Sequence, residues 1–183
     1  MDTDDSLYGE FLAGETSSYD QLMIRYGDSL TMYLYGYLHD FQDSEDLMIE
    51  SFARIMVKKP KIGEGNFKAY LYKTARNLAS RFHSVMTRAT LFSFEETGAD
   101  IADSELIEEK MLDEEKEKIL HICLGRIDND LREAIWLVYF EDMSYKDAAQ
   151  VMGVNTKKID HLLSRGKQVM KKELLKEGIK SAY

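Results

Sequence analysis

The chain has 183 residues, which is enough for one ordinary domain or two small ones. Apolar residues make up 44% and charged residues 31% of it, as in ordinary folded proteins, and no stretch reaches the ~18 consecutive apolar residues of a membrane span. The net charge of −9 argues at first against a nucleic-acid partner.

The distribution of charge reverses that first impression. Residues 1–53 carry one basic and twelve acidic residues, whereas residues 54–88 carry nine basic and one acidic residue. Residues 89–130 are acidic again, with four basic and thirteen acidic residues, and residues 131–183 carry ten basic and seven acidic residues. Because phosphate binding depends on the local field, the basic blocks are compatible with a nucleic-acid partner.

Several classes of protein are disfavoured. The acidic residues 1–5 predict neither a secretory signal nor a transit peptide. Cys123 is the only cysteine, so we expect a reduced, buried thiol and a cytoplasmic protein. The four histidines are scattered, and Gly63 and Gly65 lack the rest of a phosphate-loop motif. We therefore expect no metal, no cofactor and no catalytic residue, so that the chain alone is not an enzyme.

Helical periodicity covers nearly all of the first half of the chain, and a single proline agrees with it. Ser18 predicts the N-cap of one helix and Asp43 the N-cap of the next, which should end before Pro60. A loop over 59–66 follows, and Asn66 should cap a further helix. Its apolar stripe, expected in the core, comprises Phe67, Tyr70, Leu71, Thr74, Leu78, Phe82 and Val85. Its other face is basic and suits melted DNA.

An acidic, aperiodic segment, 89–111, predicts a linker between a domain over 1–88 and a domain over 112–183. Helices are expected to begin near Ser104 and at Leu131. Strand-like alternation is absent from the sequence. The predicted fold class is therefore all-α, with two small helical domains joined by an acidic linker.

The sharpest local pattern predicts a helix-turn-helix. Ser144 should cap its first helix, Gly153 should end that helix, and Asn155 should cap the second. The residues expected to be buried are Tyr145, Ala148, Ala149, Met152, Val154, Ile159, Leu162, Leu163, Gly166 and Met170. The opposite face of the second helix carries side chains suited to base edges and phosphates. An ordinary helical hairpin with a solvated polar face is the alternative at this point.

In their order and spacing, these segments resemble the extracytoplasmic-function sigma factors of bacterial RNA polymerase. Asp43–Phe52 and Asn66–Asn77 are similar to motifs of region 2, and Ser144–Met170 is similar to region 4. The resemblance implies promoter recognition and transcription initiation through −35 duplex contacts and −10 melting. It implies core RNA polymerase, through its β and β′ subunits, and promoter DNA as partners, and it leaves room for an anti-sigma factor.

The resemblance also implies three binding surfaces. The surface for core polymerase comprises Asp43, Asp46, Met48, Ile49 and Glu50. The surface for the −10 element comprises Lys61, Asn66, Lys68, Lys73, Arg76, Asn77 and Arg81. The surface for the −35 element comprises Asn155, Lys157, Lys158, His161, Ser164, Arg165 and Gln168.

Some positions depart from the family pattern. Ile49 stands where glutamine is usual, and Asp160 and Leu162 stand where lysine and arginine are common. The two missing cations lead us to expect an unusual −35 preference or weak independent DNA binding. Two other functions stay open at this stage: a helix-turn-helix regulator that binds duplex DNA without core polymerase, and a sigma-like interaction module.

Overall fold

The computed structural model describes residues 2–92 and 115–179, with side chains described for 2–82 and 119–179. All regular structure within these ranges is helical, which confirms the all-α prediction. The chain divides into two compact units, Met1–Glu95 and Glu96–Tyr183. The helix start predicted near Ser104 lies outside the described residues, as does most of the predicted linker.

Four helices lie within the described part of the first unit: α1 (Asp4–Leu12), α2 (Thr16–Leu38), α3 (Phe41–Lys58) and α4 (Phe67–Phe92). Helix α2 packs against the other three, so its apolar side chains form the centre of this unit. The predicted stripe of α4 is buried at Phe67, Leu71 and Leu78, and half-buried at Tyr70, Thr74 and Phe82. Tyr72, which that stripe omits, is fully buried, and its hydroxyl lies 2.9 Å from Ser29 Oγ.

The start of α2 differs from the prediction. The helix begins at Thr16, because the Glu15 carboxylate accepts the Ser17 N–H at 3.2 Å and acts as the cap. Ser18 lies inside the helix, where its hydroxyl donates to Glu10 at 2.5 Å. The prediction that Ser18 caps the helix is therefore wrong, because a nearer acceptor satisfies the first amides.

The start of α3 differs in the same way. Asp40, and not Asp43, is the cap, since an Asp40 carboxylate oxygen accepts the Asp43 N–H at 2.8 Å. Asp43 then lies in the first turn of the helix. The predicted end is confirmed: the helix stops at Lys58, and Lys59 is left-handed, with φ of 43°.

The described residues of the second unit form five helical segments: α5 (Glu115–Gly125), α6 (Asn129–Ile135), a π-helical turn (Trp136–Phe140), α7 (Tyr145–Met152) and α8 (Thr156–Lys176). Cys123 is fully buried, as predicted. Helices α6 and α8 approach so closely that a Cβ on Gly166 would lie 2.8 Å from Ile135 Cδ1. Glycine is therefore the residue that allows this helix pair to form.

The π-helical turn joins α6 to the helix-turn-helix. The Glu141 N–H donates to the Trp136 carbonyl at 3.1 Å, which closes the wider turn. The Trp136 Nε1–H donates to the buried Glu141 carboxylate, also at 3.1 Å, and the Trp136 ring stacks on Phe140 at 4.7 Å. The stacking of Trp136 on Phe140 and the hydrogen bond from Trp136 to Glu141 together fix the direction in which the chain leaves α6.

The helix-turn-helix forms with the predicted caps. The Ser144 hydroxyl accepts the Asp147 N–H at 3.1 Å, and Gly153 ends α7 with φ of 69°. Asn155 Oδ1 accepts the Lys158 N–H at 2.8 Å at the start of α8. The confirmed buried residues are Ala148, Ala149, Met152, Ile159, Leu162, Leu163, Gly166 and Met170.

Two predicted members of that core are wrong. Tyr145 is 40% exposed and Val154 is 36% exposed. Met143, two residues before α7, is buried at 6% exposure and fills the interior at the end where Tyr145 was expected. Tyr145, as the first residue of α7, instead leaves its ring at the surface.

Candidate nucleic-acid and polymerase interfaces

The outer face of α8 presents polar side chains to solvent. Lys157, His161, Ser164 and Gln168 recur every three or four residues, and all are exposed. On the opposite face Ile159, Leu163 and Gly166 are buried, so the helix is anchored along one side. Such a helix offers donors and acceptors at the spacing needed to follow base edges in a major groove.

Lys158 and Arg165 lie along one edge of that face. Both line a cleft at the turn between α5 and α6, together with Arg126 and the polar residues 128–130. Arg126 is paired with Glu177 through a hydrogen bond, so part of its charge is already compensated. Asp128 and Asp130 line the same cleft, so the charge around Lys158 and Arg165 is mixed.

Asn155 has a defined structural task. Its side-chain oxygen is the acceptor that caps α8, so its carbonyl is engaged with the helix itself. On the other edge of the helix, the Lys167 ammonium lies 5.0 Å from the centre of the Tyr139 ring. Tyr139, chiefly through a hydrogen bond, raises the pKa of Lys167. Lys167 therefore stays cationic at neutral pH.

In the first unit, helix α4 presents a second polar stripe. Lys73, Asn77 and Arg81 are spaced four residues apart and are exposed, and Arg76 flanks them with partial exposure. Lys68 is not part of this stripe, because its ammonium lies 5.5 Å from the centre of the Tyr26 ring on α2. The structure thus divides the predicted −10 residues into a stripe and a separate cation–π contact.

The loop segment 59–66 precedes α4 directly. Lys61 is exposed on it, and the Asn66 side-chain amide donates to the Glu64 carbonyl at 2.9 Å. Gly65 has φ of 70°, a conformation that side chains disfavour. The segment therefore has a defined turn conformation directly before the helix that carries the cationic stripe.

Helix α3 carries the predicted polymerase surface. Asp46, Ile49 and Glu50 are exposed, and Ile49 leaves half of its surface in solvent, at 52%. Glu50 is bound by Arg54 one turn later at 2.6 and 2.9 Å. Met48 is half-buried and faces Gly27 of α2, so it supports helix packing as well as any outer surface.

The surroundings of Asp43 disfavour the ionised form of its carboxyl. Burial, followed by the charges of Asp40 and Asp46, raises the pKa of its carboxyl above the usual 3.8. With Glu45, four carboxylates lie within residues 40–46 and form a local acidic patch at the start of the helix. Such a patch favours a basic partner surface over a phosphate backbone.

Sequence reasoning did not find two contacts made by α1. The Tyr8 hydroxyl donates to the Pro60 carbonyl at 2.8 Å, and the Asp5 carboxylate accepts the Gly65 N–H at 2.8 and 3.0 Å. No local pattern signals these contacts, because 52 and 60 residues separate the partners.

Within the described ranges, no group of three or more His, Cys, Asp or Glu side chains could hold a metal ion. Among the same residues, no helix has the length and apolar character needed to cross a membrane.

Comparison with known families gives two matches. Residues 22–85 match the model for sigma-70 region 2, and residues 118–170 match the model for sigma-70 region 4. The first match covers α3, the loop and the described stripe of α4, and the second covers α7 and α8 as far as Met170. Helix α1 lies outside both matches.

The chain is also similar to individual proteins along almost its whole length. It is 26% identical to the RNA polymerase sigma-H factor of Pseudomonas aeruginosa, over 95% of each chain. It is 24% identical to the extracytoplasmic-function (ECF) RNA polymerase sigma-E factor of Haemophilus influenzae, over 94% of this chain and 95% of that one.

A solved structure shares the fold. It is the sigma factor RpoE in complex with the anti-sigma factor NepR from Bartonella quintana. The two chains are 22% identical, with a TM-score of 0.62, over 85% of this chain and 96% of that one.

Proposed function

The chain belongs to the sigma-70 family as an RNA polymerase sigma factor of the extracytoplasmic-function type, acting in promoter recognition and transcription initiation, and from this premise we propose how its surfaces divide the work. One observation carries the proposal. The region 2 match and the region 4 match fall in separate compact units, and each unit exposes a polar helix face. A regulator that binds only duplex DNA would account for the second unit and not for the first.

We assign −35 recognition to α8. Lys157, His161, Ser164 and Gln168 reach the base edges, and Lys158 and Arg165 contact phosphates along one edge. Asn155 acts mainly by starting the helix. The departures at Asp160 and Leu162 remain part of the proposal, and they lead us to expect an unusual −35 preference or weak independent DNA binding.

We assign −10 melting to the first unit. Lys73, Arg76, Asn77 and Arg81 follow the phosphates of the separated strand, and the loop segment 59–66, with Lys61 and Asn66, accepts an unstacked base. Lys68 contributes less directly, because it is engaged with Tyr26.

We assign contact with core polymerase to the outer face of α3. Its exposed carboxylates at Asp46 and Glu50 flank Ile49, so the face combines charge with an apolar centre. Asp43 adds charge at the helix start, and Met48 holds the face against α2. This arrangement suits a basic helical partner on the β′ subunit, with the β subunit contacted by the second unit.

The domain boundaries 1–88, 89–111 and 112–183 are kept as our proposal for region 2, linker and region 4. We propose that the chain has no reaction of its own and is not an enzyme, because bond formation belongs to the polymerase. We further propose that it works in the cytoplasm, with the polymerase, and that an anti-sigma factor holds it inactive, as the named complex of RpoE and NepR suggests by analogy.

Run-off transcription tests the proposal. Purified protein is added to sigma-free core polymerase from its own organism, with fragmented genomic DNA as template. New discrete transcripts, lost in a Lys157→Ala/Gln168→Ala variant but not in a Gln21→Ala control at an exposed position of α2, would support it. Co-elution with core but without transcripts would leave only the interaction-module function. The absence of both transcripts and co-elution would contradict the proposal.

A further inference from the structure

Helix α1 is the one described helix of the first unit that no family match covers. It nevertheless holds the loop segment 59–66 at both ends. The Tyr8 hydroxyl donates to Pro60 near the start of the segment, and the Asp5 carboxylate accepts from Gly65 near its end. These contacts connect the acidic first helix to the segment that we assign to base capture.

Helix α1 is itself fixed to the unit. Leu7, Tyr8 and Phe11 are buried, and the Tyr8 ring lies 5.3 Å from the ring of Phe67, the first residue of α4. Burial, followed by the nearby Tyr70, raises the pKa of Tyr8, so its hydroxyl remains a donor at neutral pH. The helix is therefore a rigid support and not a loosely attached segment.

A second anchor lies at the first residue of α1. Asp4 accepts hydrogen bonds from both Arg25 and Tyr26 of α2. The charged pair is three-quarters buried, with side-chain exposures of 26% and 22%. Since Asp4 binds α2 while Asp5 binds the loop, α1 connects the central helix of the unit to this segment.

The loop needs such support. It contains Gly63 and Gly65, and glycine has more conformational freedom to lose than any other residue. A loop that samples many conformations spends part of its binding free energy on becoming ordered. A loop held at both ends before DNA arrives avoids most of that entropic cost.

We propose that Asp5 and Tyr8 are positioning residues that hold the segment 59–66 in the conformation that accepts an unstacked nucleobase of the melted promoter strand. This inference rests on the proposed −10 role of that segment. Neither residue contacts DNA: the Asp5 carboxylate would repel a phosphate, and it acts through the Gly65 N–H instead. The acidic N-terminal helix thus serves nucleotide binding without carrying a basic side chain of its own.

The variants are chosen to remove one contact each. Tyr8→Phe removes only the hydroxyl and keeps the ring against Phe67, and Asp5→Ala removes the carboxylate. Asp5→Asn keeps an acceptor oxygen for the Gly65 N–H, so it should retain part of the loop ordering that Asp5→Ala loses. Ser6→Ala is the matched control, because the Ser6 hydroxyl bonds only within α1, to Glu10.

Two measurements are made on the full chain. Hydrogen–deuterium exchange of the peptide spanning 60–66 reports whether the loop is held. The lifetime of heparin-resistant open complexes, formed by holoenzyme on a promoter recovered by run-off transcription, reports base capture. We expect faster loop exchange and an open-complex lifetime shortened about fivefold per hydrogen bond removed, with core affinity unchanged. Ser6→Ala should change neither quantity.

A Lys61→Ala variant in the loop separates the proposed −10 role of the loop from the positioning role of Asp5 and Tyr8. If it shortens the open-complex lifetime while Tyr8→Phe and Asp5→Ala do not, the α1 inference is overturned and the loop assignment stands. Unchanged loop exchange in both α1 variants also overturns the inference. If the α1 variants release the loop and neither they nor Lys61→Ala affect the lifetime, the −10 role of the loop fails, and the inference fails with it.

Discussion

Replacing Gly166 by alanine tests the closest helix contact in the second unit. The added Cβ would lie 2.8 Å from Ile135 Cδ1, 3.2 Å from Ile135 Cγ1 and 3.7 Å from the Leu131 carbonyl oxygen. Ordinary carbon–carbon contacts lie at about 3.5–4.0 Å. Ile135 is only 7% exposed, so it has little room to turn away.

Two effects of opposite sign decide the magnitude. Alanine in a helix interior is favoured over glycine by about 1 kcal/mol. Overpacking a filled interior costs about 1–3 kcal/mol, and here two atoms of one buried side chain are affected. We therefore expect Gly166→Ala to lower the free energy of unfolding by about 1 kcal/mol.

Urea unfolding followed by tryptophan fluorescence measures this change, because the single tryptophan, Trp136, lies in the same unit. Gly125→Ala is the control, because a methyl group added there would meet nothing within 4 Å. This control variant should leave the midpoint unchanged or slightly raised.

A double-mutant cycle identifies the cause. Ile135→Val deletes Cδ1 and alone should cost about 0.5–1.5 kcal/mol. Combined with Gly166→Ala it should cost less, because the new methyl group fills the vacated space, with a coupling of about 1 kcal/mol. If the effects of the two substitutions add to within about 0.5 kcal/mol, the clash with Ile135 is not the cause. A Gly166→Ala variant more stable than the parent would also refute it.

Three further predictions concern the caps, the stripe and the acidic patch. Asn155→Ala should lower the free energy of unfolding by about 1 kcal/mol in the Trp136 assay, because α8 loses its cap, and it should weaken −35 duplex binding by holoenzyme. Lys73→Ala should lower the salt dependence of open-complex formation, reducing the log–log slope by about 0.7 for one phosphate contact on a single strand. Asp43→Asn should raise the urea midpoint of the first unit, followed by circular dichroism, at pH 7 and not at pH 3. The reason is that a raised folded-state pKa makes the ionised carboxylate destabilising, so stability falls as pH rises through that pKa.

Each of these predictions has a control. Asn155→Ser keeps a cap and should stay near the parent, so equal losses for serine and alanine would contradict the capping role. Lys68→Ala should change the salt slope less than Lys73→Ala, and the reverse order would contradict the division of the −10 residues. If Asp43→Asn shows the same gain at both pH values, charge is not its cause.

Local signals predicted the helix-turn-helix well. Ser144, Gly153 and Asn155 each perform the backbone task that their residue type suits, and the periodicity of α8 placed its inner face. Ser18 and Asp43 failed as caps because Glu15 and Asp40 lie within a turn of them and are equally competent acceptors. Residue type alone does not decide which of two acceptors within one turn of each other caps a helix.

Tertiary contacts explain the other differences. Periodicity placed Tyr145 in the core because it cannot detect that Met143 occupies the interior there. Charge groups Lys68 with Lys73, but Lys68 does not share the four-residue spacing of the stripe, and the structure shows its ammonium at the Tyr26 ring. The contact of Asp5 with the loop depends on how two distant segments meet, which no spacing within either segment encodes.

The acidic surface of the first unit also affects how this protein searches for promoters. A chromosome offers an enormous excess of non-specific sites, and a cationic DNA-binding protein would spend most of its time on them. Here twelve carboxylates precede residue 54, and the chain carries a net charge of −9, which opposes long-range attraction of the unbound protein to random duplex. On the proposed assignment of surfaces, the exposed cations of α4 would act only at short range, after polymerase has supplied the attraction to DNA. The promoter search would then belong to the assembled holoenzyme and not to the free protein.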